Sequence, residues 1–198
     1  MAVELVVIGM SLGGLNAMEV LLAGLEPDLA LPIAIVQHRS RESDGALLTH
    51  LRRYSSLPLE EAEDKQPILP GCVYLAPPSY HLLVDGGSFA LDTEDRVCHA
   101  RPSIDVLFES AAISYCERLL GVIMTGASHD GAQGARHIKE RGGILIVQDP
   151  QTAENGVMPA AALALTPADQ ILPLADIAPF INRCAAAAKS QPKRDRQP

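Results

Sequence analysis

The sequence predicts one α/β domain with a doubly wound, Rossmann-like architecture: a mainly parallel sheet with a small antiparallel hairpin region. Three observations carry this. Short aliphatic runs alternate with segments of helical periodicity toward both ends of the sequence, the rhythm of a parallel sheet. Aromatic residues make up only 4% while hydrophobic residues make up 47%, so the core is aliphatic, the usual filling of strands covered on both faces. Polar clusters follow three of the expected strands, where open parallel sheets gather their functional groups.

The elements follow in order. Val3 to Ile8 is a buried strand ending at Gly9, and Gly13 to Leu25 carries Leu15, Met18, Leu21, Leu22 and Leu25 at helical spacing. Leu31 to Val36 is a second buried strand, and Gly45 to Leu51 a helix. From Leu57 to Leu91 the character changes: five prolines separate short apolar runs, among them Cys72 to Leu75. Leu82 to Val84 and Phe89 to Leu91 flank Asp85-Gly86-Gly87-Ser88 and predict a β-hairpin. Pro102 suits the first position of a helix running to about Tyr115. Leu120 to Met124 is a strand, His129 to Arg141 a helix stopped by Gly142-Gly143, and Ile144 to Val147 another strand. Helices over Pro159 to Leu165 and Leu174 to Ala188 close the domain.

The 198 residues suit a single full-sized domain, set at 1–188, with 189–198 as a disordered polar tail. A formal net charge of −8 disfavours nucleic acid and anionic membranes as partners. No run approaches the ~20 apolar residues of a membrane span, and the N-terminus lacks the basic region of a signal peptide, so a cytoplasmic setting is expected. Cys72, Cys98, Cys116 and Cys184 stand far apart and predict reduced, mostly packed cysteines rather than a metal site or disulfides.

The first polar cluster, Gly9-Met10-Ser11-Leu12-Gly13, fits G-x-S-x-G between a strand and a helix. Small neighbours let such a serine take a sharp turn and let backbone N–H groups approach an oxyanion. Ser11 is therefore the expected nucleophile, although a helix-capping serine would look the same. A dinucleotide loop fits less well, because Ser11 replaces the glycine that would approach a pyrophosphate and His38 stands where a ribose-binding acid belongs. His38 ends the second strand, with His81 as its competitor for the role of base. By chemistry alone Asp105, Asp130 and Asp149 are comparable partners for it.

At these residues the sequence resembles the CheB-type protein-glutamate methylesterases of bacterial chemotaxis, over about Val6 to Ala187. The resemblance rests on Ile8 to Gly14, Val36-Gln37-His38, Ala62-Glu63-Asp64 and Gly71 to Pro78. It continues through Arg101-Pro102-Ser103-Ile104-Asp105, Thr125-Gly126 with Asp130-Gly131, Val147-Gln148-Asp149 and Met158-Pro159. It implies a catalytic triad of Ser11, His38 and Asp130, an oxyanion hole near the backbone of Leu12 and Ala127, and no cofactor or metal. It implies a methyl-accepting chemotaxis receptor as substrate, with glutamine deamidation as a further activity. The family usually has Thr or Ala where this sequence has Leu12, and Met-Gly-Asn where it has Ala127-Ser128-His129. Two other readings therefore stand beside the first: a CheB-like binding module without activity, and an esterase with a different substrate. The resemblance begins at the catalytic strand, so the family's usual receiver domain has no counterpart here, and control by phosphorylation within the chain is not expected.

Overall fold

The structure is a computed structural model that describes residues 2–39 and 46–189. Seven strands form one sheet in the order β3-β4-β2-β1-β7-β8-β9, with every neighbouring pair parallel. These are β1 Leu5–Met10, β2 Ile33–Gln37, β3 Leu59–Glu61, β4 Val73–Leu75, β7 Leu119–Ile123, β8 Ile144–Gln148 and β9 Gln170–Leu172. Strands β5 His81–Asp85 and β6 Ser88–Asp92 form a separate antiparallel pair. The turn between them has positive φ at both Gly86 and Gly87, matching the twist of a two-residue hairpin.

Side chains along β1 alternate between the two faces of the sheet. Val6, Ile8 and Met10 join a core formed with α1 Gly14–Gly24, α2 Ala46–Leu51 and α6 Leu174–Lys189. Leu5 and Val7 join the opposite core with α3 Ile104–Tyr115, α4 Ala132–Glu140, α5 Val157–Leu165 and the hairpin. Ile8, Leu21, Phe89 and Phe108 are fully buried, and each such side chain stabilises the fold by about 1.5–3 kcal/mol.

Three departures from the sequence reading concern the middle and the far edge. The 57–91 region is antiparallel only at β5 and β6; β3 and β4 extend the main parallel sheet instead. β9 was not foreseen: its residues Gln170 and Ile171 are exposed, so this edge strand lacks an apolar run. α3 begins at Ile104 rather than Pro102, and α4 at Ala132 rather than His129. All four cysteines are free; Cys72 and Cys184 pack against the two cores and Cys116 is partly buried, whereas Cys98 is exposed and departs from the expectation of packed thiols. The expected start of the second helix at Gly45 and the tail beyond residue 189 lie outside the described residues.

The strand order places the site. From β1 the chain winds outward through β2 in one direction, and it resumes on the other side at β7. The carboxyl ends of β2, β1 and β7 therefore lie side by side at the switch point where such sheets bind their ligands.

Candidate active site

Ser11 stands immediately after β1, on the turn that opens α1. Its N–H donates to Thr125 O (2.9 Å), and its carbonyl accepts from Gly14 N (2.9 Å) and from Gln37 Nε2 (2.9 Å). The same Gln37 amide donates to His38 O (2.9 Å), so one side chain ties the serine turn to the histidine strand end. This tie requires glycine at position 14: a Cβ there would lie 1.8 Å from Gln37 Oε1. The capping alternative for Ser11 is not what the structure adopts, because α1 starts at Gly14 behind Gly13 and has no side-chain cap.

His38 Nε2 donates to Asp130 Oδ2 at 2.7 Å; its side chain is 15% exposed while that of Asp130 is fully buried. Three further groups hold Asp130. Ser103 Oγ donates to Oδ1 (2.8 Å), Asp105 N to Oδ1 (3.0 Å) and Ile104 N to Oδ2 (2.7 Å). Asp130 thus caps not its own helix α4 but the N-terminus of α3, where free N–H groups and the helix dipole favour an anion. Ile104 can approach because Gly9 has no Cβ; one there would lie 2.3 Å from Ile104 Cγ2. Burial alone would raise the Asp130 pKa. The hydrogen bond from His38, then those from Ile104, Asp105 and Ser103, outweigh burial and hold the carboxyl below its usual range. A buried anion on one ring nitrogen leaves Nδ1 of His38 as the nitrogen available for proton exchange.

Ser11, Leu12, Gln37 and His38 line one cavity of about 580 Å³, with Glu19 and Glu154 also on its wall. No hydrogen bond joins Ser11 Oγ to His38 among the described residues, and in free enzymes such contacts often tighten only when substrate binds. The backbone N–H groups of Leu12 and Ala127 are both unpaired among the described residues. Leu12 lines the cavity of Ser11, whereas Ala127 lines a neighbouring hollow with Cys98, Ser128 and His129. The loop before Ala127 nevertheless abuts the serine: a Cβ on Gly126 would lie 3.0 Å from Ser11 Cβ.

The remaining candidates separate by their surroundings. His81 is buried; its Nδ1 accepts from Ser103 N (3.3 Å), so its Nε2 carries the proton donated to Asp95 O (3.0 Å). Both nitrogens of a neutral ring are thereby used. Asp149 accepts from Gln151 N in an exposed turn. Asp105 lies behind Asp130 and accepts from Gly134 N (2.7 Å). Burial first, with the Asp130 charge adding to it and the Gly134 N–H opposing, pushes its pKa up to about 6. Cys98 Sγ is 3.8 Å from Asp105 Oδ2, and these two groups and Asp130 bring ligand-type atoms within 4.8 Å of one another. Burial and then the charges of Asp130 and Asp105 raise the Cys98 pKa, which keeps the thiol protonated beside the acids.

Sequence reasoning missed the supports. Gln37, Ser103 and Thr125 hold the three strand ends, and Thr125 Oγ1 donates to Leu12 O (2.9 Å) while accepting from Asn155 N (3.0 Å). For two of them the signal was position: Gln37 precedes His38, and Thr125 follows β7 by two residues.

The fold and site together define an α/β protein of the serine-hydrolase type, with serine, histidine and aspartate carried by three adjacent strand ends. This chain belongs to the CheB methylesterase family, whose sequence profile matches residues 6–181. A Leptospira interrogans protein assigned as a protein-glutamate methylesterase/protein-glutamine glutaminase is 47% identical over 181 residues, spanning 91% of this chain and 94% of that protein. The Maricaulis maris protein-glutamate methylesterase/protein-glutamine glutaminase is 38% identical over 92% of this chain, which spans 46% of that longer relative. The crystal structure of the Thermotoga maritima CheB methylesterase catalytic domain superimposes with a TM-score of 0.87 at 33% identity, over 92% of this chain and 99% of that one.

Proposed function

We propose that this chain is a protein-glutamate methylesterase that acts on methylated chemoreceptors by a Ser11–His38–Asp130 triad. The observation that carries the reading is the 2.7 Å contact between His38 Nε2 and the buried Asp130 carboxylate, beside the Ser11 turn. In this mechanism Ser11 Oγ attacks the γ-ester carbon while His38 takes its proton. Asp130 fixes the tautomer of His38 and stabilises its charged form. The developing oxyanion is met by the N–H groups of Leu12 and Ala127. His38 then protonates the departing methoxy oxygen, and methanol leaves an acyl-serine. A water deprotonated by His38 attacks this intermediate, giving a glutamate carboxylate and free Ser11.

The relatives' names support a second outcome at the same atoms. A receptor glutamine in place of the ester would lose ammonia rather than methanol and give the same acyl-serine. No helix among the described residues is long and apolar enough to cross a membrane; a cytoplasmic setting goes with the receptor assignment. The test is methanol release from methylated receptor compared with hydrolysis of small esters, together with labelling by a phosphonate serine-hydrolase probe. Release from receptor that disappears in Ser11→Ala supports the reading. A protein that neither labels nor releases methanol would be a binding module instead.

A further inference from the structure

His38 lines a second cavity, of about 530 Å³, whose wall includes Arg39, Arg96, Arg101, His99 and Ser128. Among the described residues no carboxylate lines it, although the chain as a whole carries a net charge of −8. Glu94 and Asp95, from the same loop as Arg96, do not line it either.

Two of the three arginines, Arg39 and Arg101, are held in place before any ligand arrives. The Arg39 side chain is 7% exposed, pairs with Glu61 through Nη2, and donates from the same atom to Ala76 O (2.8 Å). Arg101 Nη1 donates to the carbonyl oxygens of Thr93 and Glu94. Yet Nε of Arg39 and Nε of Arg101 are both buried without a hydrogen-bond partner. A buried N–H left unpaired is destabilising, and more so on a charged group. Arg96 is exposed, and among the described residues no acid lies within ion-pair distance of it or of Arg101. Guanidinium groups free of acid partners, Arg101 fixed by two carbonyls and Arg96 at the rim, around a hollow lined by no carboxylate among the described residues, match a planar anion in shape and charge.

We propose that this cavity is an anion subsite for a carboxylate side chain of the substrate protein, one that flanks the glutamate whose ester reacts at Ser11. The proposal rests on the methylesterase reading for the identity of the substrate. The reacting ester is uncharged and sits with Ser11 in the cavity walled by Glu19 and Glu154, so it does not itself call for arginines. A neighbouring acid does. Because His38 borders both cavities, a substrate carboxylate held by Arg96 and Arg101 places the adjacent ester at the Ser11 side.

The test compares two peptides that differ only in having Glu or Gln beside a glutamate γ-methyl ester. Binding of both is measured by fluorescence anisotropy to Ser11→Ala, alone and combined with Arg96→Gln or Arg101→Gln. Turnover of both is measured with the active protein and the two arginine variants. The acidic peptide should bind about tenfold more tightly, the ratio that corresponds to ~1.4 kcal/mol, and the gain should fall with added salt. Either arginine variant should bring the ratio near one while the Gln peptide and a small neutral ester keep their rates. Arg96 is exposed, so its variant tests the subsite even if Arg101→Gln unfolds. Equal binding of the two peptides overturns the proposal, as does an arginine variant that weakens both alike. Inorganic phosphate should displace the acidic peptide selectively; phosphate binding without any preference for the acidic peptide also overturns it, leaving a site for free anions. Because the binding arm uses no turnover, a preference seen in Ser11→Ala with no methanol release from the active protein would uphold the subsite and overturn only the methylesterase reading.

Discussion

Replacing Asp130 with Asn removes a charge and one acceptor from a carboxylate that receives four hydrogen bonds, two at each oxygen. The amide nitrogen of Asn only donates, so it must face one pair of these partners. Placed at Oδ2 it meets Ile104 N–H and forces His38 Nε2 to accept, the wrong tautomer for taking the proton of Ser11. Placed at Oδ1 it meets Ser103, whose hydroxyl can turn to accept, and Asp105 N–H, which cannot. Either way one backbone N–H of α3 is left buried and unpaired, at about 1–3 kcal/mol. Loss of the anion at the N-terminus of α3 adds up to ~2 kcal/mol, and relief of repulsion from Asp105 offsets part of the total. The expected destabilisation is about 2–4 kcal/mol, with turnover falling by ~10²–10⁴. Urea unfolding followed with methyl-ester turnover measures both, and Ser11→Ala serves as the comparison that loses turnover without losing stability. An Asp130→Asn protein that unfolds at the parent urea concentration would refute the capping role. Turnover within about tenfold of the parent would refute the triad.

Three further outcomes are expected. His38→Ala should abolish turnover with little loss of stability, while His81→Ala should cost about 2–4 kcal/mol in a urea melt and leave the folded fraction active; equal loss of turnover at unchanged stability would reverse the assignment of the base. Gly14→Ala drives a methyl into Gln37 and should lower kcat by about 10–100-fold, with no further loss on adding Gln37→Ala; full activity would show that the tie between Ser11 and His38 is dispensable. Asp105, raised to about 6 from an unfolded value near ~3.9, binds its proton more tightly in the folded state, so its contribution to stability falls as pH rises from about 4 to 6. Asp105→Asn should lack that component of the pH–stability curve, and an unchanged curve from pH 4 to 7 would contradict it.

The central elements were legible because each carried its own signal. β1, β2, β7 and β8 are continuous aliphatic runs, and the Gly86-Gly87 pair marked the hairpin directly. β3 and β9 were missed for a physical reason: Leu59-Glu60-Glu61 and Gln170-Ile171-Leu172 lie at the two edges of the sheet, where one side needs no apolar partner. At the site, the G-x-S-x-G turn pointed to Ser11 through its placement between a buried strand and an amphipathic helix. Asp130 required the family resemblance, because nothing local distinguishes it from Asp105 or Asp149. What singles it out is a contact between segments 26 residues apart, the N-terminus of α3 against the loop between β7 and α4. Arg39 and Arg101 were invisible as a pair for the same reason, since only the fold brings them to one cavity.

The capping of α3 by Asp130 bears on how inactive descendants of such a chain can be recognised. An aspartate that secures a helix is retained by selection for folding whether or not the reaction survives, so its presence in a related sequence says little about activity. The hydroxyl of Ser11 has no partner among the described residues and carries no comparable duty. Drift should therefore reach the serine first. A relative with alanine at this position and an intact aspartate would be a folded, substrate-holding remnant. For the same reason, a trap built to capture the natural substrate is better made at Ser11 than at Asp130.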